Sequence, residues 1–243
     1  MTHPQVYPPR EDTYALLHAA RKGVRAGDRV LEVGCGSGYI ASALAAKGPV
    51  IATDINPYAV REARLHGLDV IRADLLGGIR GPFDLVIFNP PYLPTQPGER
   101  IDDWLELALD GGRDGTDVID RFAGQVGRVL APGGRVLLLV SSLTGPDRVR
   151  GIFSAFGFDS EILECEEVEG ETLYIIQCTP ARNGNRENTN WDQAGVAAPV
   201  KKNNQVNGLQ GEYPPYGKSP NGLEGLYPPN GRSPKGLKGE YPP

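Results

Sequence analysis

Between residues 29 and 178 the chain alternates short apolar runs with longer segments of helical pattern, and this alternation restricts the fold more than any other feature. Strands are expected at Arg29 to Val33, Val50 to Thr53, Asp69 to Arg72, Phe83 to Phe88 and Gly134 to Val140. Helices are expected between them at Gly38 to Lys47, at Pro57 to His66 with proline in the first turn, at Asp117 to Leu130 and at Arg148 to Phe156. Two further runs, Ser160 to Cys165 and Thr172 to Cys178, flank the Glu169-Gly170 turn and read as an antiparallel finish. Strand and helix in alternation specify an α/β, doubly wound sheet with helices on both faces. The right-handed crossover rule makes its consecutive strands parallel, so the expectation is a mostly parallel sheet of seven strands.

Composition changes after about Pro180, where Asn, Gly, Pro and Lys replace the apolar runs. Three units recur there with starts 14 residues apart, at Gly208, Gly222 and Gly236, each ending in Tyr-Pro-Pro. Each unit offers too little apolar area to offset the entropy of ordering a Gly/Pro chain. The expected organisation is therefore one folded domain over 1–180 and a disordered repeat tail over 181–243. Of 25 basic and 30 acidic side chains, eight basic and five acidic fall in the tail. That leaves 17 against 25 in the folded part, a net charge of about −8. Such a balance argues against a domain that grips a phosphate backbone unaided, because phosphate neutralisation supplies most nucleic-acid affinity. No apolar stretch approaches the roughly 20 residues of a membrane span and no basic-then-apolar leader opens the chain, so the expected location is cytoplasmic. Cys35, Cys165 and Cys178 are too few and too scattered for a disulfide framework or a CxxC metal site.

The first chemical signal is Leu31-Glu-Val-Gly-Cys-Gly-Ser-Gly38, glycines at the end of the first strand. Glycines allow backbone to approach a ligand closely, and ligands bind where strand order reverses in such sheets. Taken alone, Gly34-x-Gly36-x-Gly38 is weak, and a dinucleotide fingerprint would place its third glycine at position 39, which is Tyr39. Glu32 suits the positive end of an amino-acid-bearing cofactor and would repel a pyrophosphate, which points to S-adenosylmethionine. Asp54 and Asp74 end the next two strands. Asp54 lies about 20 residues beyond the glycines, where a carboxylate can accept from ribose hydroxyls, and Asp74 can accept from an adenine amine. Either carboxylate read alone is also an ordinary capping or loop aspartate.

Asn89-Pro90-Pro91-Tyr92 follows the fourth strand directly. An amide nitrogen has its lone pair delocalised and barely attacks a methyl sulfonium unaided. The Asn89 carboxamide oxygen and the Pro90 carbonyl can each accept one N–H of such a target and aim its lone pair at the methyl group. The Pro90-Pro91 turn fixes these acceptors, and Tyr92 can stack on the planar substrate. Elsewhere in a chain the same four residues would be a turn with an exposed aromatic.

These residues resemble the HemK-type protein-glutamine N5-methyltransferases, particularly their short archaeal and eukaryotic class, over roughly residues 4 to 178. Three stretches discriminate further: Val6-Tyr-Pro-Pro-Arg-Glu-Asp-Thr13, Ala108-Leu-Asp-Gly-Gly-Arg-Asp-Gly115 running into Val118-Ile-Asp-Arg-Phe122, and Leu130-Ala-Pro-Gly-Gly134. The resemblance implies a class I, Rossmann-like methyltransferase sheet and transfer from S-adenosylmethionine to the glutamine of the Gly-Gly-Gln loop of a peptide chain release factor. By matching position it implies cofactor contacts at Thr13, Glu32, Gly34, Gly36, Asp54, Asp74, Leu75 and Asn89. Asn89, Pro90 and Tyr92 become catalytic, with Asn89, Pro91 and Tyr92 holding substrate. Members of the short class pair with a small zinc-ribbon activator protein that covers an apolar sheet edge, here matched to Asp69 to Arg72. The repeated tail departs from the family pattern.

Two other readings draw on some of the same residues. The Asn89-Pro-Pro-Tyr92 motif also serves methylation of exocyclic base amines in RNA or DNA, which the acidic domain disfavours. A cofactor-binding interaction subunit without catalysis is disfavoured by the intact motif. His3, His18 and His66 lack metal-ligand spacing, so no metal is expected. Trp104 with Asp102-Asp103, and Arg113, are candidates for a substrate groove or for plain surface.

Overall fold

The structure is a computed structural model that describes residues 2–96 and 103–181. The repeat tail and Asp102 lie outside the described residues. Helix α1 (Glu11–Gly23) comes first. Glu11 and Asp12 in its first turn and Arg21 and Lys22 in its last complement the helix dipole. The Arg10 amide donates to the Thr13 hydroxyl at 3.3 Å, and Leu16, Leu17, Ala19 and Ala20 are buried. This helix is absent from the sequence-based expectations, although its Ala and Leu spacing is amphipathic.

The expected alternation then follows: β1 (Val30–Val33), α2 (Tyr39–Leu44), β2 (Val50–Asp54), α3 (Pro57–Leu65), β3 (Asp69–Arg72), β4 (Phe83–Phe88), α4 (Asp117–Val126), β5 (Leu130–Ser141), α5 (Pro146–Ala155), β6 (Phe158–Val168) and β7 (Glu171–Pro180). The seven strands lie in the order β3-β2-β1-β4-β5-β7-β6. Pairing from β3 through β5 is parallel, and β7 runs antiparallel between β5 and β6. The doubly wound, mostly parallel sheet expected from the sequence is therefore present, antiparallel finish included.

Alternate residues of the central strands face opposite layers. Leu31, Val33, Val86, Phe88, Val136 and Leu138 pack against Ile119, Phe122 and Val126 of α4 and Phe153 of α5. The Phe88 and Phe122 ring centroids lie 4.7 Å apart. Val30, Leu85, Ile87 and Leu137 face the other way, against Leu16 and Ala20 of α1 and Ile40 and Leu44 of α2. Helices thus cover both faces.

Several boundaries differ from expectation. Helix α4 ends at Val126, not Leu130, and β5 begins at Leu130, four residues before Gly134. The Arg128 guanidinium donates to the Ile79 carbonyl at 2.7 Å and to that of Leu76, which pins the chain just past the helix. Leu130 then pairs with Phe83, and the Pro132-Gly133-Gly134 turn becomes a bulge, with Gly133 at φ 75° and pairing resuming at Leu85 with Arg135. Helix α2 is shorter than Gly38 to Lys47, α5 starts at Pro146, and β6 extends to Val168.

Strand order reverses between β1 and β4: β2 and β3 lie to one side, β5 to β7 to the other. In sheets of this kind the carboxyl ends of two such neighbours are where ligands bind. Among the described residues no helix is long and apolar enough to cross a membrane.

Candidate active site

At the carboxyl end of β1 the backbone turns through left-handed conformations at Gly34 (φ 65°) and Gly36 (φ 53°), where a side chain would be strained. A Cβ on Gly38 would come within 2.5 Å of the Leu68 side chain and 2.9 Å of Ala63 Cβ. The third glycine of the cluster therefore serves the packing of α2 on the α3–β3 connection. The carbonyl of Tyr7 lies 3.6 Å from where a Cβ on Gly36 would stand, so the N-terminal segment passes over the glycine turn. It is held there by Asn56, whose side-chain amide donates to the Gln5 carbonyl at 2.6 Å.

Glu32 and Asp54 bring two buried carboxylates to this turn, 5% and 8% exposed. Glu32 Oε2 accepts from the Ala41 amide at 2.8 Å. Burial pushes the Glu32 carboxyl up to about 8, opposed by the Ala41 amide and assisted by the nearby Asp54 charge. Asp54 accepts the Gly36 amide on Oδ2 and the Asn56 amide on Oδ1, both at 2.8 Å. Burial raises it to about 6, less far, because those main-chain amides favour the charged form. With the Ile55 amide also bonded to it, the Asp54 carboxylate keeps acceptor capacity for about one further donor.

Beyond β3, Asp74 forms an ion pair with Arg121 of α4. Leu75 beside it is the one non-glycine residue with positive φ (50°) among the described residues, and its carbonyl accepts from the Thr53 hydroxyl at 3.3 Å. A left-handed leucine is costly, and such strain concentrates at functional sites.

Asn89, Pro90, Pro91 and Tyr92 leave the end of β4 at the other side of the switch point. Asn89 Nδ2 donates to Asp12 Oδ2 at 3.0 Å, while Asn89 Oδ1 is buried with no hydrogen-bond partner among the described residues. A buried acceptor without a donor costs free energy in a fold, so this oxygen has capacity for a donor from beyond the described residues. The turn itself is clamped by the glycine-rich segment. The Leu93 amide donates to the Leu109 carbonyl and the Gly111 amide to the Leu93 carbonyl, both at 3.0 Å. A Cβ on Gly115 would stand 2.4 Å from the Tyr92 carbonyl, and one on Gly111 2.9 Å from that of Pro91. Gly111 and Gly115 are thus explained by backbone lying on backbone, and Gly112 by its left-handed φ of 85° against the Asp117 side chain. Thr144 donates to the Tyr92 carbonyl at 2.9 Å. The Tyr92 ring is half-buried, and its hydroxyl donates to Glu171 at 3.3 Å, which leaves the ring little rotational freedom.

The sequence-derived residues Glu32, Gly34, Gly36 and Asp54 gather at the β1 and β2 ends, and Asn89 with Thr13 at the β4 end through Asp12. Asp12 and Glu171 carry no local sequence signal for these contacts, because their partners lie 77 and 79 positions away. Trp104 sits under the Arg72 guanidinium, 5.7 Å from the ring centroid, and its amide donates to Gln5. Arg113 is exposed, and His3 stacks on Tyr58. Among the described residues no group of His, Cys, Asp and Glu can hold a metal ion.

Buried carboxylates, left-handed glycines and an unpaired amide oxygen thus lie at the carboxyl ends of β1, β2 and β4, and known proteins share the frame. Residues 11–101 match the methyltransferase small domain family. A Methanocaldococcus jannaschii protein named as a putative protein N5-glutamine methyltransferase is 41% identical over 182 residues, covering 72% of this chain and 91% of the relative. Methyltransferase HEMK2 of Mus musculus is 35% identical over 190 residues, covering 71% of this chain and 88% of the relative. Among solved structures, the E. cuniculi Mtq2-Trm112 complex, described as responsible for methylation of the eRF1 translation termination factor, contains a chain that superposes with a TM-score of 0.63 at 32% identity. That match covers 73% of this chain and 99% of that one. With such identity over 91%, 88% and 99% of these three relatives, the chain belongs to the HemK-type protein-glutamine N5-methyltransferase family.

Proposed function

We propose that the chain transfers a methyl group from S-adenosylmethionine to N5 of the glutamine in the Gly-Gly-Gln loop of a peptide chain release factor, in the cytoplasm. The observation that carries this reading is the unpaired, buried Oδ1 of Asn89 at the carboxyl end of β4. An oxygen in that state suits a substrate N–H, and the Pro90 carbonyl supplies the second acceptor. The residues also suit the cofactor. Buried Glu32 faces an ammonium favourably, Gly34 and Gly36 keep the turn free of side chains, and Asp54, Asp74, Leu75 and Thr13 complete the contacts. The bound cofactor supplies an electrophilic methyl group on a positive sulfonium.

The chain's own part is to prepare the nitrogen. Two oxygens that accept both N–H groups of the target amide draw its lone pair out of conjugation and point it along the line of displacement. Toward a nitrogen so held, the bound cofactor would supply the methyl group, the electron pair of the broken carbon–sulfur bond staying on sulfur. One N–H proton then passes to water by way of the accepting oxygens. Pro91 and Tyr92 hold the planar group from the side, the ring steadied by Glu171.

Incubating the purified chain with methyl-labelled cofactor, release factor and total RNA tests this directly. Label is expected on the release factor. Label on RNA would instead establish the base-amine reading, and label on neither would leave a binding subunit.

A small activator subunit is the second part of the proposal. Strand β3 is a sheet edge, with Asp69, Ile71 and Arg72 exposed and Val70 buried. The edge position agrees with expectation, but its chemistry is mixed rather than apolar, with Ile71 its one exposed aliphatic. Main-chain pairing along this edge would cover the strand. Tagged protein isolated from its own cells is expected to bring down one small zinc-binding protein in equal amount. Full activity of the isolated chain, unchanged by that protein, would rule the activator out.

A further inference from the structure

The Asn89 carboxamide has two chemically opposite ends that are nearly the same shape. Nδ2 can only donate and Oδ1 can only accept, so a half-turn about the side chain converts an outward-facing acceptor into an outward-facing donor. A target NH2 brings donors of its own, and it would be repelled by the turned amide. Something must therefore fix which end faces outward.

Asp12 has the geometry to do so. It is the second residue of α1, 5% exposed, and its Oδ1 accepts both the Thr13 amide at 2.6 Å and the Thr13 hydroxyl at 3.1 Å. Its Oδ2 accepts from Asn89 Nδ2 at 3.0 Å. The Tyr7 phenol is hydrogen-bonded to the same carboxylate, and burial together with that charge holds the phenol well above the ordinary tyrosine range. Donors from three residues converge on Asp12, and those from Thr13 and Tyr7 fix its orientation before Asn89 is considered. A carboxylate accepts and does not donate, so it tolerates only the NH2 end of Asn89. The Oδ1 end is then the one left buried and unpaired.

We propose that Asp12 is a positioning residue: by holding Asn89 Nδ2 it turns Oδ1 toward the substrate, and it sets the sign of the hydrogen bond on which transfer depends. This rests on the N-methylation reading above. The competing role is a purely structural one, in which Asp12 only secures the first turn of α1 through Thr13.

The two roles separate in Asp12→Asn. An asparagine at position 12 keeps an oxygen for the Thr13 amide and hydroxyl, so the helix start is retained. Its NH2 then faces Asn89 and favours the turned amide, with Oδ1 inward and NH2 outward. We expect kcat for release-factor methylation to fall by about 10²- to 10³-fold, the size of effect seen when a single charge-stabilising contact is lost, with cofactor Kd and substrate KM within about threefold. The double variant Asp12→Asn with Asn89→Asp restores the complement: the carboxylate introduced at position 89 accepts the new NH2 with one oxygen and presents the other outward. It should exceed the Asp12→Asn variant at least about tenfold in kcat. A merely structural Asp12 would leave kcat near wild type in Asp12→Asn and give the double variant no advantage. Either result overturns the proposal.

A readout without turnover uses the 15N-labelled full chain. In the wild type one Asn89 side-chain amide proton should be shifted downfield and exchange slowly, held by the Asp12 carboxylate, and Asp12→Asn should abolish both properties. Unchanged signals in that variant would also refute the proposal. If wild-type protein fails to methylate release factor, the functional reading fails, and the amide signals still decide on Asp12.

Discussion

Asn89→Ala should reduce methyl transfer at least about 10³-fold while cofactor affinity changes by only a few-fold. The two halves of this expectation come from different parts of the site. Removing one preorganised contact that is realised mainly in the transition state costs roughly 10² to 10³ in kcat. In the proposed mechanism Asn89 adds to this because its oxygen would be one of the two acceptors that expose the amide lone pair, and a water in its place would be neither fixed nor aimed. The cofactor side, in contrast, loses little. Gly34, Gly36, Glu32 and Asp54 lie at the ends of β1 and β2, with Asp54 tied to the Gly36 and Asn56 amides. Single-turnover rates together with calorimetric binding of the cofactor check both halves. Turnover within tenfold of wild type would contradict the assigned role, and a total loss of cofactor binding would mean that Asn89 holds the cofactor rather than the substrate.

The second large effect concerns Glu32 and pH. Burial raises this carboxyl from 4.5 to about 8 in the free protein. The sign for stability is fixed by linkage. The folded state holds the proton more tightly than the unfolded one, so the contribution is fully present below about 4.5 and is lost as pH rises through about 8. For the cofactor the sign is opposite. On the proposed contact, the positively charged amino acid group of the cofactor favours the ionised carboxylate, so near neutrality binding would expel the Glu32 proton. Cofactor affinity should then fall as pH is lowered from about 7 toward 6, by at most roughly tenfold per unit for a single linked proton. Calorimetry in buffers of different ionisation enthalpy should show proton release on binding, and Glu32→Gln should remove it along with the pH slope. Binding without proton release, or a slope unaltered in Glu32→Gln, would show that the group meets no positive charge.

The sheet is largely legible in the sequence because it depends on local pattern. Strand β3 falls at Asp69–Arg72 and β4 at Phe83–Phe88, the bounds expected from apolar runs and turn residues. The end of α4 is not legible, because Arg128 reaches back to carbonyls about fifty positions earlier and no periodicity encodes that contact. Helix α1 carries a readable amphipathic pattern, overshadowed by the motif at its start. At the site, the turn residues Asn89 to Tyr92 and the carboxylates at the strand ends are visible as sequence. The side chains that fix them are not: Asp12 meets Asn89 and Glu171 meets Tyr92 only once the sheet has closed. The spacing of Gly111 and Gly115 is readable as a glycine-rich segment. Its cause, close passage over the Pro91 and Tyr92 carbonyls, is purely tertiary.

Locating the transferred methyl group at atomic level decides whether an amide nitrogen is the acceptor. Release factor treated with the chain and S-adenosylmethionine is digested, and the fragment bearing the Gly-Gly-Gln loop is sequenced by tandem mass spectrometry. A single methyl group is expected on the side-chain amide of that glutamine, absent when Asn89→Ala replaces the wild-type chain. A methyl group on any other type of side chain, or an unmodified glutamine beside methylated RNA, would contradict the proposed chemistry.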